Sequence, residues 1–260
     1  MIFLVLLVSL STILAAPAKS KLQVQCQGKV CELVGNMDFP EEALREGDIL
    51  ESASERGRNA LTNTNKLWKN GRIPYVYHKE ILPTSRAKIE NAMRLLEEKI
   101  CAKFVPWDES MGDNYLMVLA NSGCFATVGF SRSSQRYLNL NQRGCLGYVG
   151  TIQHELLHVL GLEHEQSRPD RDNYVTILKE NIKDGMEKNF KIVSTKDYST
   201  LDVPYDYNSL MHYSAYSFTK NGKATVLPKD PSVDPEILGQ RKGPSENDLK
   251  KINIMYKCNK

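Results

Sequence analysis

Two short motifs are missing from this chain of 260 residues: Cys-x-x-Cys and Asn-x-Ser/Thr. Without the first, cysteine-built zinc clusters and thioredoxin-type redox chemistry have no support. Without the second, N-glycosylation is not expected. An excess of one charge is missing too. Lys and Arg number 34 against 31 Asp and Glu, and a net charge of +3 is too small to imply a nucleic-acid partner. Lys250, Lys251 and Lys257 are scattered along an expected helix and terminus, where a solvated face explains them. No glycine-rich phosphate turn stands before a helix, and no internal repeat or low-complexity tract occurs. Beyond the N-terminus no apolar run is long enough to span a bilayer, so no stable membrane association is expected. What remains, 41% apolar and 25% charged, is ordinary globular composition.

The first sixteen residues carry no charged side chain. IFLVLLVSLSTIL followed by Ala16-Pro17-Ala18 reads as a signal peptide cut after Ala18, and a membrane anchor would need a longer run. The product is therefore expected to be secreted and extracellular, where six cysteines suggest disulfides. Six cysteines allow about 15 pairings, and spacing alone does not choose among them. Residues 19–58 show no sustained helical or strand period. They hold Cys26 and Cys31, an acidic run DFPEEALREGD, and the basic site Glu55-Arg56-Gly57-Arg58. This reads as an activation propeptide opened by a trypsin-like or furin-like protease after Arg58, the plain alternative being an irregular N-terminal arm. The expected organisation is 1–18 signal, 19–58 propeptide and 59–260 catalytic domain.

From Asn59 the pattern is that of a compact domain. Ile73–Tyr77 is an expected strand, rich in aromatic and β-branched residues. Thr84 or Ser85 can cap a helix running to about Cys101, with Ile89, Met93, Leu96 and Ile100 on one face. Tyr115–Ala120 is a further apolar strand. Tyr137–Asn141 alternates, which predicts a half-exposed edge strand to which an extended peptide can add. Ser245-x-x-Asp248 opens a last helix carrying Leu249, Ile252, Met255 and Tyr256. Strands and helices come first, then a long middle rich in Asp, Asn and Tyr, then one closing helix. The fold class is α+β.

Residues 154–165, HELLHVLGLEHE, carry the chemistry. His154 and His158 are four apart, so on a helix their rings share one face a turn apart and can bind one Zn2+ at about 2.0–2.1 Å. Glu155 sits beside them, within reach of a metal-activated water but not placed as a ligand, which suits a general base. His164 lies six residues past His158, which at about 100° per residue puts it about 240° round an unbroken helix. Gly161 resolves this. It tolerates positive φ, can end the helix, and lets the chain swing His164 back to the metal. Three His ligands leave a fourth position open, the arrangement of a catalytic site. The chain has five histidines, and three fall at these positions.

HExxHxxGxxH is the metzincin pattern, which is accompanied by a methionine turn beneath the metal. Ser209-Leu210-Met211-His212-Tyr213 fits that turn. Glu165 follows the third His within HEQSRPDRD, and Tyr213 stands two after the turn methionine. LWKNGRIPY, EEKIC and the closing cysteine complete the likeness. From residue 59 to 258 the chain resembles the astacin family of zinc endopeptidases. That resemblance implies a metzincin-like two-subdomain protease: a twisted, mostly parallel N-terminal sheet with an antiparallel edge strand and the active-site helix, then an irregular C-terminal subdomain with a closing helix. It implies one zinc ion per chain on His154, His158 and His164, with Glu155 as base and protein or peptide substrates. Tyr213 would be an extra, movable ligand whose hydroxyl stabilises the oxyanion; on the sequence alone it reads equally as a core aromatic. Met211 would pack under the site, while His212 and His78 read as structural.

The family's disulfides map onto Cys101–Cys258 and Cys124–Cys145, which leaves Cys26 and Cys31 for each other. Many astacins carry an aromatic-x-Gly-Asp motif whose aspartate occupies the open zinc position in the precursor. Asp48 matches it as a zymogen-only ligand, but Arg45 stands where the aromatic is expected. The likeness also implies that cleavage creates an α-ammonium at Asn59 that lies near Glu165. A catalytically dead binding protein on the same scaffold would have lost Glu155 or a ligand, and neither is lost. A hydrolase of non-peptide substrates is disfavoured by the expected edge strand. No interaction module follows Cys258, so a hatching, digestive or venom-type enzyme is expected over a multidomain developmental one.

Overall fold

The computed structural model describes residues 23–27, 30–35, 39, 43–51, 66–132, 135–194 and 199–258. The expected cuts after Ala18 and Arg58, and the new terminus at Asn59, lie outside the described residues. The strands and helices in chain order are β1 (Gln23–Gln27), β2 (Val30–Val34), β3 (Leu44–Arg45), β4 (Ile49–Leu50), β5 (Arg72–His78), α1 (Pro83–Glu97), β6 (Lys103–Pro106), β7 (Leu116–Leu119), β8 (Cys124–Ala126), β9 (Arg136–Leu140), α2 (Val149–Leu160), β10 (Val175–Ile177), β11 (Val226–Pro228) and α3 (Glu246–Met255).

β5, β6, β7 and β9 run parallel, and β8 joins β9 antiparallel. Residues in which the sequence shows no sustained period extend this sheet at both sides. The β1–β2 hairpin, stapled by Cys26–Cys31, adds β2 parallel to the end of β5. The β3–β4 hairpin adds β4 parallel to β8 at the other side. β1 (QVQCQ) alternates exposed and half-buried positions over five residues and pairs with β2 beside it in the chain, whereas β3 and β4, two residues each, have no period to read. β2 and β4 are fixed on the sheet by β5 and β8, far away in the chain.

α1 and α2 cover one face of the sheet. Ile73, Ile89, Met93, Leu96, Leu138, Leu140, Ile152 and Leu156 form the core between them. The opposite face buries Val76, Met117, Phe125 and Tyr137 under Phe39, Leu44 and Leu50 of the N-terminal segment. This overturns the half-exposed edge expected at Tyr137–Asn141. β9 is paired on both sides and buried at every position. Tyr137 packs at 5.0 Å from the Phe39 ring. The polar Asn139, fully buried, donates to the carbonyls of Asn121, Ser122 and Gly123 and accepts from the Asn121 N–H, so its polarity marks a loop clamp and not exposure. Once residues 19–58 are set aside, it is β8 that forms the sheet edge on this side.

α1 is also not capped by Thr84 or Ser85. Leu82 holds the cap position without a side-chain bond, Pro83 fills the first helical turn, and Ser85 faces inward. α3 opens with the expected capping box between Ser245 and Asp248. Cys101–Cys258 ties its end to the end of α1, and Cys124–Cys145 joins the start of β8 to the turn after β9, so all six cysteines are paired as expected. Residues after α2 form short turns, the small β10–β11 ribbon and a third apolar cluster around Val175, Phe190, Tyr205 and Tyr213. The α+β two-part architecture is that expected. No helix among the described residues is long and apolar enough to cross a membrane.

Candidate metal centre and active site

α2 delivers two imidazoles and stops. Gly161 takes φ 112°, and its N–H caps back onto Leu157 and His158 carbonyls. A side chain there would also meet Met255 Cε at 2.8 Å. The chain then turns, and His164 faces the same space as His154 and His158, with all three rings buried.

Each ring is fixed through Nδ1. His154 donates to Leu210 O at 2.8 Å, His158 to Leu162 O at 2.7 Å, and His164 to Glu46 Oε2 at 2.7 Å. The three Nε2 atoms are thereby turned toward one point, where the Asp48 carboxylate also sits. Asp48 Oδ2 lies 3.2 Å from His154 Nε2 and 3.2 Å from His164 Nε2, and Oδ1 lies 3.9 Å from His158 Nε2. One ligand atom from each of these four residues lies within 4.8 Å of the others. His158 Nε2 and Asp48 Oδ1 are buried there without a hydrogen-bond partner. Burial works against charge on His164, yet the Asp48 and Glu46 carboxylates outweigh it and push the ring up to about 10. Three nitrogens, one carboxylate and a local demand for positive charge fit one zinc ion.

Around this point the methionine turn is tied down by a residue that reads in the sequence only as a helix cap. Asp248 accepts from Ser209 Oγ at 2.6 Å and from the Leu210 N–H at 2.8 Å, so one carboxylate holds α3 and the turn together. Met211 is buried in the main core cluster. Tyr213 is placed by Gln166, whose Oε1 accepts the Tyr213 N–H at 3.0 Å, and its ring lies 5.0 Å from that of His164. Its hydroxyl donates to the Glu46 carbonyl at 2.6 Å. Glu155 is buried beside the ligands with Oε2 unpartnered. Burial, together with the nearby Asp48 carboxylate, pushes its carboxyl well above the usual range.

Residues 46–48 form the turn of the β3–β4 hairpin and lie across the site. Glu46 takes φ 56°, Gly47 φ 87°, and the Asp48 carbonyl accepts from the Ala126 N–H of β8 at 2.9 Å. Arg45, at the position expected to be aromatic, is bonded to Glu46, to Glu51 at 2.6 Å and to Glu163 at 2.6 Å. Glu163 stands directly before His164, and no local pattern announces this partnership. Glu165 does not wait for a partner either. It is buried against Arg168 at 3.0 Å, against Lys251, and under the Asp206 N–H at 3.0 Å. His212 donates from Nδ1 to Tyr213 O and receives the Tyr205 hydroxyl at Nε2, a packing role as expected.

A family model described as Astacin, a peptidase family, matches residues 60–257. The chain belongs to the astacin family. It is 39% identical over 221 residues to zinc metalloproteinase nas-4 of Caenorhabditis elegans, covering 82% of this chain and 69% of that protein. It is likewise 39% identical to meprin A subunit beta of Rattus norvegicus over 83% of this chain but 29% of that protein, and 39% identical to embryonic protein UVS.2 of Xenopus laevis over 83% and 40%. The chain thus spans under half the length of several curated relatives. Among solved structures, high choriolytic enzyme 1, a hatching enzyme zinc-protease from Oryzias latipes, is similar with a TM-score of 0.66 at 36% identity, over 82% of this chain and 100% of that one. As an astacin-family member the chain is a zinc metalloendopeptidase, a hydrolase of peptide bonds, whose His154, His158, His164 and Asp48 are suited to hold one zinc ion.

Proposed function

We propose that this chain is the latent precursor of a secreted endopeptidase. Residues 1–18 are a signal peptide, residues 19–58 an inhibitory propeptide, and residues 59–260 the catalytic domain. The observation that carries this reading is the convergence of three Nε2 atoms on the Asp48 carboxylate. In the active enzyme His154, His158 and His164 hold the zinc, which supplies Lewis-acid activation of water and of the scissile carbonyl. Glu155 Oε2 takes the water proton and later passes it to the leaving amine. The Tyr213 hydroxyl donates to the carbonyl oxygen as negative charge develops on it. The substrate backbone adds to the edge of β8, which in the precursor is taken by Ile49 and the Asp48 carbonyl.

In the precursor the Asp48 carboxylate occupies the position water needs and makes Tyr213 and β8 unavailable through its neighbours. A separate protease cutting after Arg58 lets the hairpin leave. The active protein is expected to begin Asn59-Ala60-Leu61 on N-terminal sequencing. An active form that begins near Lys19 and retains Asp48 would refute the propeptide assignment.

A further inference from the structure

The three ring orientations described above are held by unlike partners. His154 and His158 donate from Nδ1 to the carbonyls of Leu210 and Leu162, which belong to the catalytic domain. His164 donates instead to the Glu46 carboxylate, which belongs to residues 19–58. Glu46 is 3% exposed. Its Oε2 also accepts from Ser167 Oγ at 2.8 Å, its other oxygen meets Arg45, its N–H donates to Asn189 Oδ1 at 3.1 Å, and its carbonyl accepts from Tyr213. To reach these partners Glu46 adopts φ 56°, the left-handed region that glycine would enter more easily. Every polar group of this one residue thus engages the catalytic domain or Arg45, which itself reaches Glu163.

Resting on the reading of His154, His158 and His164 as zinc ligands, we propose that Glu46 is the outer-sphere partner of His164 in the precursor, so that the propeptide retains the metal as well as blocking it. The carboxylate fixes the His164 tautomer with Nε2 facing the zinc and puts negative charge behind the ligand. Carboxylate–histidine–zinc relays of this kind are worth about 10–100-fold in metal affinity. Arg45 is the brace. It neutralises the second Glu46 oxygen and ties the turn to Glu163, which explains an arginine where many astacins carry an aromatic. Release of the propeptide then removes a zinc-retaining contact together with the block, and the precursor is the form best suited to acquire the metal.

The test is the zinc affinity of the uncleaved full-length precursor, measured by competition with a chromogenic chelator. Glu46→Ala is expected to weaken it about 10–100-fold. Glu46→Gln, whose amide oxygen still accepts from Nδ1–H, is expected to weaken it less. A Glu46 that served packing alone would lower precursor stability in both variants without moving zinc affinity. Affinities of Glu46→Ala and Glu46→Gln equal to wild type would overturn the proposal. Glu46 is removed on activation, so the mature enzymes released from all three precursors are the same molecule. Equal zinc affinity and peptide hydrolysis after cleavage show that each variant folded. Failure of every released enzyme, wild type included, to bind zinc would instead sink the ligand assignment beneath it.

Discussion

Replacing Tyr213 by Phe removes one oxygen from a ring otherwise held by Phe190 and Phe218, each with its ring centre 5.6 Å away, so the packing should survive. Burial, with the Glu46 and Asp48 carboxylates adding to it, holds the phenol well above its ordinary value, so it is a proton donor across the working pH range. In the precursor that donor is bonded to the Glu46 carbonyl at 2.6 Å. Deleting it leaves a buried carbonyl short of one partner, a loss of about 1–3 kcal/mol. For a chain of this size each kcal/mol is about 2–4 °C in Tm, so the precursor should melt several degrees lower. On the proposed mechanism, the same hydroxyl in the released enzyme would face the developing oxyanion. Losing one such donor costs roughly 10²–10³ in kcat, about 2.7–4 kcal/mol, with little change in KM. The assay is hydrolysis of a fluorogenic peptide by trypsin-activated wild type and Tyr213→Phe. A mutant within about threefold of wild type would reduce Tyr213 to a packing residue and refute the reasoning.

Glu155→Gln should retain zinc at wild-type stoichiometry while turnover vanishes; a mutant that still turns over would remove Glu155 as the base. Asp48→Ala should give an uncleaved precursor with measurable activity, still below the mature enzyme because Glu46 continues to hold Tyr213 and His164. A variant as inert as wild type would place the block elsewhere. His212 gives the pH dependence of stability. Burial lowers it from 6.5 to about 4, so the folded ring stays neutral where the unfolded ring is protonated. Its contribution is present above pH 6.5 and is lost as pH falls toward 4, about 3 kcal/mol in all. Urea midpoints should therefore drop between pH 7 and 4.5, and drop less in His212→Gln; equal drops in the two proteins would show that His212 is not the group responsible.

What is legible in the sequence depends on local spacing. The two-histidine helix, the Gly161 exit and the Ser245–Asp248 cap each need only neighbours within a few residues, and all three appear as expected. The family likeness carries the disulfides and the methionine turn. What is illegible depends on partners far away in the chain. β9 alternates like an exposed strand, but Phe39 covers its outer face and the loop 121–123 consumes Asn139. β1 alternates over five residues only, β3 and β4 are too short to carry a pattern, and β2 and β4 take their places from β5 and β8. Arg45 reads as a departure until Glu163, 118 residues away, is seen against it. Asp248 announces a cap and hides its hold on the methionine turn. The likeness gives Glu165 its cation only on activation, yet Arg168 and Lys251 already meet it.

The most direct measurement is metal add-back to the mature enzyme. Protein cut after Arg58 and stripped with 1,10-phenanthroline should lose all peptide hydrolysis. Activity should then return in proportion to added zinc and break at one equivalent per chain, with serine-protease inhibitors having no effect before or after. Full hydrolysis by a verified zinc-free preparation would contradict the account at its centre.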